Sequence, residues 1–298
     1  LISLGALYRN DEAYNSNLDF YNLSAPARPY SGRFEQTGVW SQVQWQITDA
    51  LELRLGGRYD EYTDFDSSTN GSVEVLYSFT DLGLVLFAKL ATSYAPPSAE
   101  DMAFDGDPDG TSLQPEESTT YEFGLKQTLF GDSLQLSAVV FRNEIEDLIG
   151  WKGMDAYNVN RATTEGVEFT AQYTPVDILD LGLAYTYLTA TDDEDDVRLL
   201  RRPRHMLQLS AWLSPVESFS VGLTGTGYFS REDAIFGPPP SYSKIQVDQE
   251  DYFVVDLHAD WQVTEHFSLF ARVENLLDEE YDSVLGYPAL GRAAYVGA

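Results

Sequence analysis

Residues 253–263 read Phe-Val-Val-Asp-Leu-His-Ala-Asp-Trp-Gln-Val, and this stretch decides the fold class. Apolar side chains occupy every second position, and four of the five positions between them are polar. A period of two is typical of a β-strand that has one apolar and one polar face. Helical periodicity is nearly absent from the chain, so the sequence predicts an all-β protein. The same alternation recurs in runs at 39–47, 51–60 and 267–274.

The predicted strands are long for a soluble sheet. Soluble strands have about 5–6 residues, whereas a tilted strand that crosses a bilayer needs about 9–11 residues. Segments of this length or longer can be drawn at 36–47, 51–62, 118–130 and 217–230. Strand length therefore favours a transmembrane sheet over a sandwich whose polar face lies in water.

The connections between the predicted strands alternate in length. Tight links are expected at 48–50, 79–81, 131–132, 175–177, 214–216 and 264–266, and longer links at 10–35, 64–71, 95–117, 192–202, 231–250 and 277–291. One intervening link, at 151–154, is short. Outer-membrane barrels sort their turns in this way, because turns of one parity face the periplasm and turns of the other parity face outside. The sequence therefore predicts an antiparallel transmembrane β-barrel, with about fourteen strands in this chain.

Composition narrows the possible functions. The 298 residues include 48 Asp and Glu against 18 Lys and Arg, which gives a formal net charge of −30. This balance argues against nucleic-acid binding, because a protein that neutralises phosphates needs a basic face. The chain has no cysteine, which excludes disulfides and thiol nucleophiles within it. The chain begins at Leu1 without a signal peptide. Because an outer-membrane protein must be exported, we expect its signal to lie upstream of Leu1.

The most specific motif lies near the end of the chain. Residues 273–281 read Val-Glu-Asn-Leu-Leu-Asp-Glu-Glu-Tyr, and residues 286–292 read Gly-Tyr-Pro-Ala-Leu-Gly-Arg. This pair resembles the C-terminal signature of the TonB-dependent receptor family, with Leu277 where Phe is usual. Further segments resemble the family in the same order, at 92–98, 113–118, 121–124, 160–168 and 200–205.

The resemblance implies a bacterial outer-membrane receptor with a 22-stranded barrel and a plug in its lumen. Residues 1–298 would then form a partial barrel domain, the last fourteen strands, without the plug. The implied function is energised uptake of a ferric siderophore or cobalamin, with TonB as a partner through the plug and outer-membrane lipid or lipopolysaccharide around the barrel. Haem receptors of this family tend to carry a histidine in the loop after the Ala-Pro step, and residues 95–117 hold none, so the resemblance disfavours haem as the ligand. The family motifs are expected to set barrel geometry, with Gly124 and Gly166 on the crowded polar face.

Ligand contacts are expected from the long outer loops and the upper lumen. Aromatic and arginine side chains dominate many binding hot spots. The candidates by position are Trp151, Tyr242, Tyr252, Tyr281, Tyr287 and Arg292.

One acidic loop matches a calcium-binding motif. Asp105, Asp107 and Asp109 stand at alternating positions, and Glu116 follows them. Carboxylates in this arrangement, with a glycine for the turn and a late bidentate glutamate, suit Ca²⁺. Two features argue against calcium binding: the flanking segments are predicted strands, and Pro108 lies inside the loop. The alternative is a solvated acidic loop.

Three other functions stay open at this stage. They are a passive fourteen-stranded channel complete in itself, a soluble β-sandwich or adhesin, and an outer-membrane hydrolase. The alternating loop lengths speak against the sandwich. His205, His258 and His266 show no metal-ligand spacing, and no Gly-x-Ser-x-Gly elbow is present, so we do not expect an enzyme.

Overall fold

The computed structural model describes residues 1–16, 29–103, 113–152, 155–237 and 244–298, and almost all of its regular structure is β. The strands are β1 (Ile2–Ser16), β2 (Pro29–Gln46), β3 (Leu51–Tyr62), β4 (Ser68–Phe79), β5 (Leu84–Ala95), β6 (Glu116–Leu129), β7 (Leu134–Lys152), β8 (Asp155–Val176), β9 (Leu179–Asp192), β10 (Val197–Arg198), β11 (His205–Val216), β12 (Phe219–Phe229), β13 (Arg231–Phe236), β14 (Lys244–Gln249), β15 (Tyr252–Thr264), β16 (Phe267–Glu274), β17 (Asp282–Val284), β18 (Tyr287–Pro288) and β19 (Ala293–Gly297). A 3-10 turn spans Thr80–Leu82, and one short helix, α1, spans Ala99–Ala103. Among the described residues, no helix is long and apolar enough to cross a membrane.

Fifteen of the strands form one antiparallel sheet. Its path runs from β1 to β9 in chain order and continues with β11, β12, β15, β16 and β19, while β10 pairs with β9. Two small hairpins, β13–β14 and β17–β18, lie off this sheet. The path has fourteen strands, which confirms the predicted all-β antiparallel class and the predicted strand number. In the described part of the chain, no ladder joins β19 to β1.

The two faces of the sheet differ in polarity. On one face, Leu55 lies opposite Val43 and Val73, and Phe123 lies opposite Val140. This apolar face is exposed, with Phe123 at 57% and Val140 at 52% of full exposure. An exposed apolar surface that continues from strand to strand is unfavourable in water. It is expected where a barrel meets hydrocarbon.

Aromatic side chains border the apolar face at both ends. Tyrosine and tryptophan favour the boundary between hydrocarbon and water, because their rings are apolar and their polar atoms bind water. The row nearer the long loops contains Tyr8, Tyr59, Tyr121 and Tyr187, and the row nearer the short turns contains Trp45, Tyr77, Tyr173 and Trp261. The two rows mark the edges of a membrane-facing band.

The opposite face carries polar side chains that pair within a strand or across neighbouring strands. Lys89 Nζ lies 3.1 Å from Glu122 Oε1. Arg54 bridges two carboxylates, with Nε 2.6 Å from Glu52 Oε1 and Nη1 3.2 Å from Glu74 Oε2. Paired charges of this kind suit a water-filled lumen rather than lipid.

Gly124 and Gly166 lie on this polar face, as expected from the sequence. A Cβ atom at Gly124 would lie 2.5 Å from Phe87 Cζ, and one at Gly166 would overlap the carbonyl oxygen of Tyr187. Only a residue without a side chain fits at either position. Glycines on the apolar face are crowded too, since a Cβ atom at Gly225 would lie 2.5 Å from Phe253 Cζ. The paired charges, which suit a water-filled lumen, therefore identify the polar face as the inner one.

Short turns lie at one end of the sheet and long connections at the other, which confirms the predicted alternation. The short turns are residues 47–50, 80–83, 130–133, 177–178, 217–218 and 265–266, and the long connections include 96–115, 193–204, 230–251 and 275–292. Two connections between described strands are short at the long-loop end: residues 63–67 between β3 and β4, where the sequence predicts a longer link at 64–71, and the β7–β8 connection, as predicted. The ladder between β7 and β8 continues to the pair Lys152 and Asp155. On β7, pairing with β6 ends at Glu146, and on β8, pairing with β9 ends at Ala162. This hairpin therefore projects beyond its neighbours.

Several predicted connections contain more strand than expected. The links predicted at 10–35 and 64–71 are shorter, because β1 extends to Ser16, β2 begins at Pro29 and β4 begins at Ser68. The links predicted at 192–202, 231–250 and 277–291 contain β10, the β13–β14 hairpin and the β17–β18 hairpin. These short strands lack a sustained apolar alternation, so the sequence pattern did not reveal them.

Candidate functional site

Three tyrosines, here called the tyrosine cluster, meet at the long-loop end of the polar face. Tyr228 on β12 lies opposite Tyr252 on β15, with ring centroids 5.2 Å apart. Tyr281, from the connection after β16, stacks on Tyr252 with centroids 4.2 Å apart. Such stacking stabilises aromatic pairs by about 0.5–1.5 kcal/mol beyond their area burial. The structure thus brings together Tyr252 and Tyr281, two predicted ligand residues, and adds Tyr228, which the sequence analysis missed.

Arg231, the first residue of β13, packs against the tyrosine cluster. Its guanidinium carbon lies 4.5 Å from the centroid of the Tyr252 ring. The buried side chain donates hydrogen bonds to the backbone carbonyls of Glu250, Asp282 and Ser283 at 2.6–2.9 Å. These carbonyls satisfy the buried N–H donors of the guanidinium. Two of the three belong to the connection after β16, so Arg231 cross-links the β13–β14 hairpin to that connection.

Asp233 is fully buried and joins three outer segments, a set of contacts here called the Asp233 junction. One carboxylate oxygen accepts hydrogen bonds from Arg201 Nε at 3.0 Å and from the Ala234 N–H at 2.8 Å, and the other accepts one from the Leu285 N–H at 3.1 Å. Burial alone would raise the pKa of Asp233, but the two backbone N–H groups and the Arg201 guanidinium outweigh it and hold the pKa below its usual range. The junction is therefore built on an ionised carboxylate that lies off the membrane-crossing sheet.

Arg292, a predicted ligand residue, is engaged within its own connection. Its backbone N–H donates to Asp278 Oδ1 at 2.8 Å, and its Nη2 lies 3.3 Å from Asp278 Oδ2. The backbone contact, and then the side-chain contact, lower the pKa of Asp278. Asn275 holds the same connection by exchanging two hydrogen bonds of 2.8 Å with the Glu279 backbone. Residues of the C-terminal motif thus fix a loop conformation, as its expected structural role requires.

The other predicted ligand residues do not belong to the tyrosine cluster as described. Tyr287 lies on β18 and is 71% exposed. Trp151 lies on the projecting β7–β8 hairpin, opposite Ala156. Tyr242 falls outside the described residues.

The calcium prediction stays a prediction. Asp105, Asp107 and Asp109 lie outside the described residues. Glu116 is described, and its Oε1 accepts a hydrogen bond from the Ile149 N–H at 2.7 Å, so one carboxylate oxygen already has a partner. Within the described ranges, no group of three or more His, Cys, Asp or Glu side chains is placed to hold a metal ion.

A cavity that the sequence analysis missed, here called the aromatic cavity, lies at the long-loop ends of β1, β2 and β3. Its volume is about 470 Å³, within the range of roughly 300–1,000 Å³ found for ligand pockets. Phe34 lines it from β2, Tyr62 from β3 and Phe65 from the β3–β4 connection. Pro96 and Pro97 line it from the connection that leads into α1. The family segment at 92–98 contains the two prolines, but no motif marks the three aromatic residues, because they come from separate segments that meet only in the folded chain.

Four features define an outer-membrane β-barrel. They are the exposed apolar face, its aromatic borders, the polar inner face and the sorting of turns by length. The family model described as TonB dependent receptor-like, beta-barrel, matches residues 2–276. The chain belongs to this family, and its place is the outer membrane of a Gram-negative bacterium. The resemblance identified from the C-terminal motif is thereby confirmed.

Solved structures show the same fold. A variant of the ferric enterobactin receptor of Pseudomonas aeruginosa has a TM-score of 0.76 and 17% identity, over 99% of this chain and 50% of that chain. The ferripyoverdine receptor of the same organism has a TM-score of 0.72 and 20% identity, over 91% and 39%. The copper transporter OprC has a TM-score of 0.74 and 19% identity, over 99% and 53%. The chain therefore spans about half or less of these proteins, all of which are receptors or transporters.

Proposed function

We propose that this chain is part of a receptor that takes up a ferric siderophore across the outer membrane, with energy supplied through TonB. The observation that carries the proposal is the family match over residues 2–276, on a sheet whose polar inner face ends in the tyrosine cluster. Two of the similar structures are receptors for ferripyoverdine and ferric enterobactin, which supports a ferric siderophore over cobalamin.

We also propose that residues 1–298 form part of a barrel domain and that further strands of the receptor complete the sheet between β19 and β1. Within the described residues, the outer edges of these two strands have no paired neighbour. Unpaired N–H and C=O groups are costly in hydrocarbon, so a membrane sheet has to close. This argument disfavours the passive channel built from these fourteen strands alone. The plug and the contact with TonB would belong to the rest of the receptor.

Uptake assays test the proposed function. Bacteria that lack their other iron receptors and carry the full-length gene would be given radioactive iron bound to catecholate, hydroxamate or carboxylate siderophores. Labelled cyanocobalamin would be tested in parallel. We expect uptake of at least one ferric siderophore and its loss in cells without TonB. Solute flux that persists without TonB, together with ion conductance in planar bilayers, would favour the passive channel and contradict the proposal.

A further inference from the structure

We infer that the aromatic cavity binds an aryl group of the transported ligand. The inference rests on the proposed function and narrows its ligand class. Arg9 lies opposite Gln36, and Asp11 lies opposite Phe34, all on the polar inner face. They stand toward the long-loop end, where a ligand from outside first reaches the barrel. The cavity is therefore placed to take a part of the ligand before it moves inward.

The wall of the cavity on the sheet side is held in a fixed arrangement. Gln36 lies opposite Tyr62, and its Nε2 donates hydrogen bonds to Tyr62 Oη at 3.3 Å and to Asp60 Oδ1 at 2.8 Å. The Tyr62 ring also stacks on Tyr94, with centroids 5.4 Å apart. A wall that is ordered before binding loses less conformational entropy when the ligand arrives.

The facing wall is also rigid. Pro96 and Pro97 have a backbone φ fixed by their rings. The next residue, Ser98, caps α1: its Oγ donates to Asp101 Oδ2 at 2.6 Å and accepts from the Asp101 N–H at 3.2 Å. The helix lies against β1 and β2. The two prolines are therefore held across from Phe34 and Tyr62 rather than on a loose loop.

The chemistry of the walls selects a flat apolar group. Aromatic rings prefer to stack or meet edge to face with other rings, and three ring-bearing side chains with two prolines offer such surfaces here. The charged side chains of the cavity give less reason to expect a charged ligand group. Arg9 is the one basic residue among the described residues that line the cavity, and its Nε lies 2.5 Å from Asp11 Oδ2. Glu35 and Asp64 also line the cavity, so its walls carry surplus negative charge, which disfavours an anionic headgroup. An aryl ring fits these walls better than an anionic headgroup.

Two ferric chelates that differ in their substituent test the inference. Ferric benzohydroxamate and ferric acetohydroxamate are both uncharged tris-chelates, but only the first carries aryl groups. Both would be titrated against the full-length receptor in detergent, with tryptophan fluorescence as the signal. We expect the aryl chelate to bind about tenfold more tightly. Phe65→Ala should remove most of this preference, because Phe65 lies in the β3–β4 connection and its loss enlarges the cavity without breaking a strand ladder.

Phe130→Ala is the matched control, since Phe130 is an exposed phenylalanine in a turn at the other end of the sheet. Phe65→Leu, which keeps apolar volume without a ring, serves if Phe65→Ala does not fold, and it too should lower the preference. Two outcomes overturn the inference even when TonB-dependent uptake is observed. In one, the native receptor binds both chelates equally. In the other, the Phe65 variants keep the same preference as Phe130→Ala.

If no ferric siderophore is taken up, the proposed function fails by itself. Metal-free benzohydroxamate and acetohydroxamate then decide the inference, which stands only if the receptor prefers the aryl compound and the Phe65 variants do not.

Discussion

Arg201 and Asp233 lie 32 positions apart and form an ion pair whose carboxylate is fully buried. Their contact joins the β9–β11 connection to the β13–β14 hairpin, and the Leu285 N–H extends it to the connection after β16. One carboxylate therefore fixes three outer segments. Because Tyr252 and Tyr281 lie on or beside two of these segments, the Asp233 junction helps to set the geometry of a candidate ligand site.

Replacing Asp233 by alanine should loosen this end of the protein without melting the sheet. The N–H groups of Ala234 and Leu285 would lose their acceptor, and each buried, unsatisfied N–H costs about 1–3 kcal/mol. The chain has no cysteine, so a spin label at Tyr287→Cys reports on the exposed β17–β18 hairpin. We expect the label to become more mobile in Asp233→Ala. Asp195→Ala, in an exposed acidic turn, is the control, and equal mobility in both variants would contradict the proposed role of the junction.

The same junction should weaken in acid. Because hydrogen bonds and Arg201 hold the pKa of Asp233 below its usual value, the carboxylate contributes stability that is fully present above the unfolded pKa of about 4. That contribution is lost as the pH falls through the lower folded pKa. The label at Tyr287→Cys should therefore become mobile below about pH 4. Asp233→Asn has no ionisable group at this position, so a transition of the same size in that variant would assign the effect to another residue.

The sheet could be predicted because each strand carries its own signal. Alternation along β15 runs over most of the thirteen residues from Tyr252 to Thr264, and it needs no knowledge of the neighbouring strands. The sorting of turns between the two ends of the sheet followed from the connection lengths. What the pattern missed were the short hairpins β13–β14 and β17–β18, whose residues are fixed by contacts made off the main sheet.

The site could be predicted only in part, because its contacts join distant segments. Arg231 binds the carbonyls of Asp282 and Ser283, which lie 51 and 52 positions further on. Residue type and position were enough to nominate Tyr252 and Tyr281. They gave no sign that Arg231 packs beside them, or that Phe34, Tyr62 and Phe65 share a cavity with two prolines.

Replacing Tyr281 by alanine should weaken siderophore binding while the barrel stays folded. The variant loses an aromatic surface beside Tyr252. A ligand ring that stacks on Tyr281 would lose a contact of about 0.5–1.5 kcal/mol, which corresponds to roughly a two- to tenfold loss of affinity. Tyr281→Phe keeps the ring and should bind like the native receptor. Fluorescence titration with the ferric siderophore identified in the uptake assays measures both. Unchanged affinity in Tyr281→Ala would remove this residue from the ligand site.

Asp278 should matter more than Arg292 for the order of the connection after β16. Asp278→Ala removes the acceptor of both the Arg292 N–H and its guanidinium. Arg292→Gln removes only the guanidinium contact, which is half exposed and screened by water. Hydrogen exchange of the amides at 286–292 should therefore quicken clearly in Asp278→Ala and little in Arg292→Gln. A loss of siderophore affinity in Arg292→Gln, with exchange unchanged, would support the predicted ligand role of Arg292.

Two glycine substitutions should differ in their effect on stability, because the space beside the two glycines differs. A methyl group at Gly124 would lie 2.5 Å from Phe87 Cζ and 2.9 Å from the carbonyl oxygen of Ala138, whereas a methyl group at Gly57 would have Ser41 Oγ as its nearest neighbour at 4.0 Å. Overpacking typically costs about 1–3 kcal/mol, so Gly124→Ala should lower the free energy of unfolding by that amount. Gly57→Ala, on the apolar face, should be neutral or stabilising by up to about 1 kcal/mol, because alanine restricts the unfolded chain. Urea unfolding of the full-length receptor in lipid vesicles measures both variants. Equal effects would mean that Phe87 and the Ala138 carbonyl do not restrict the space at Gly124.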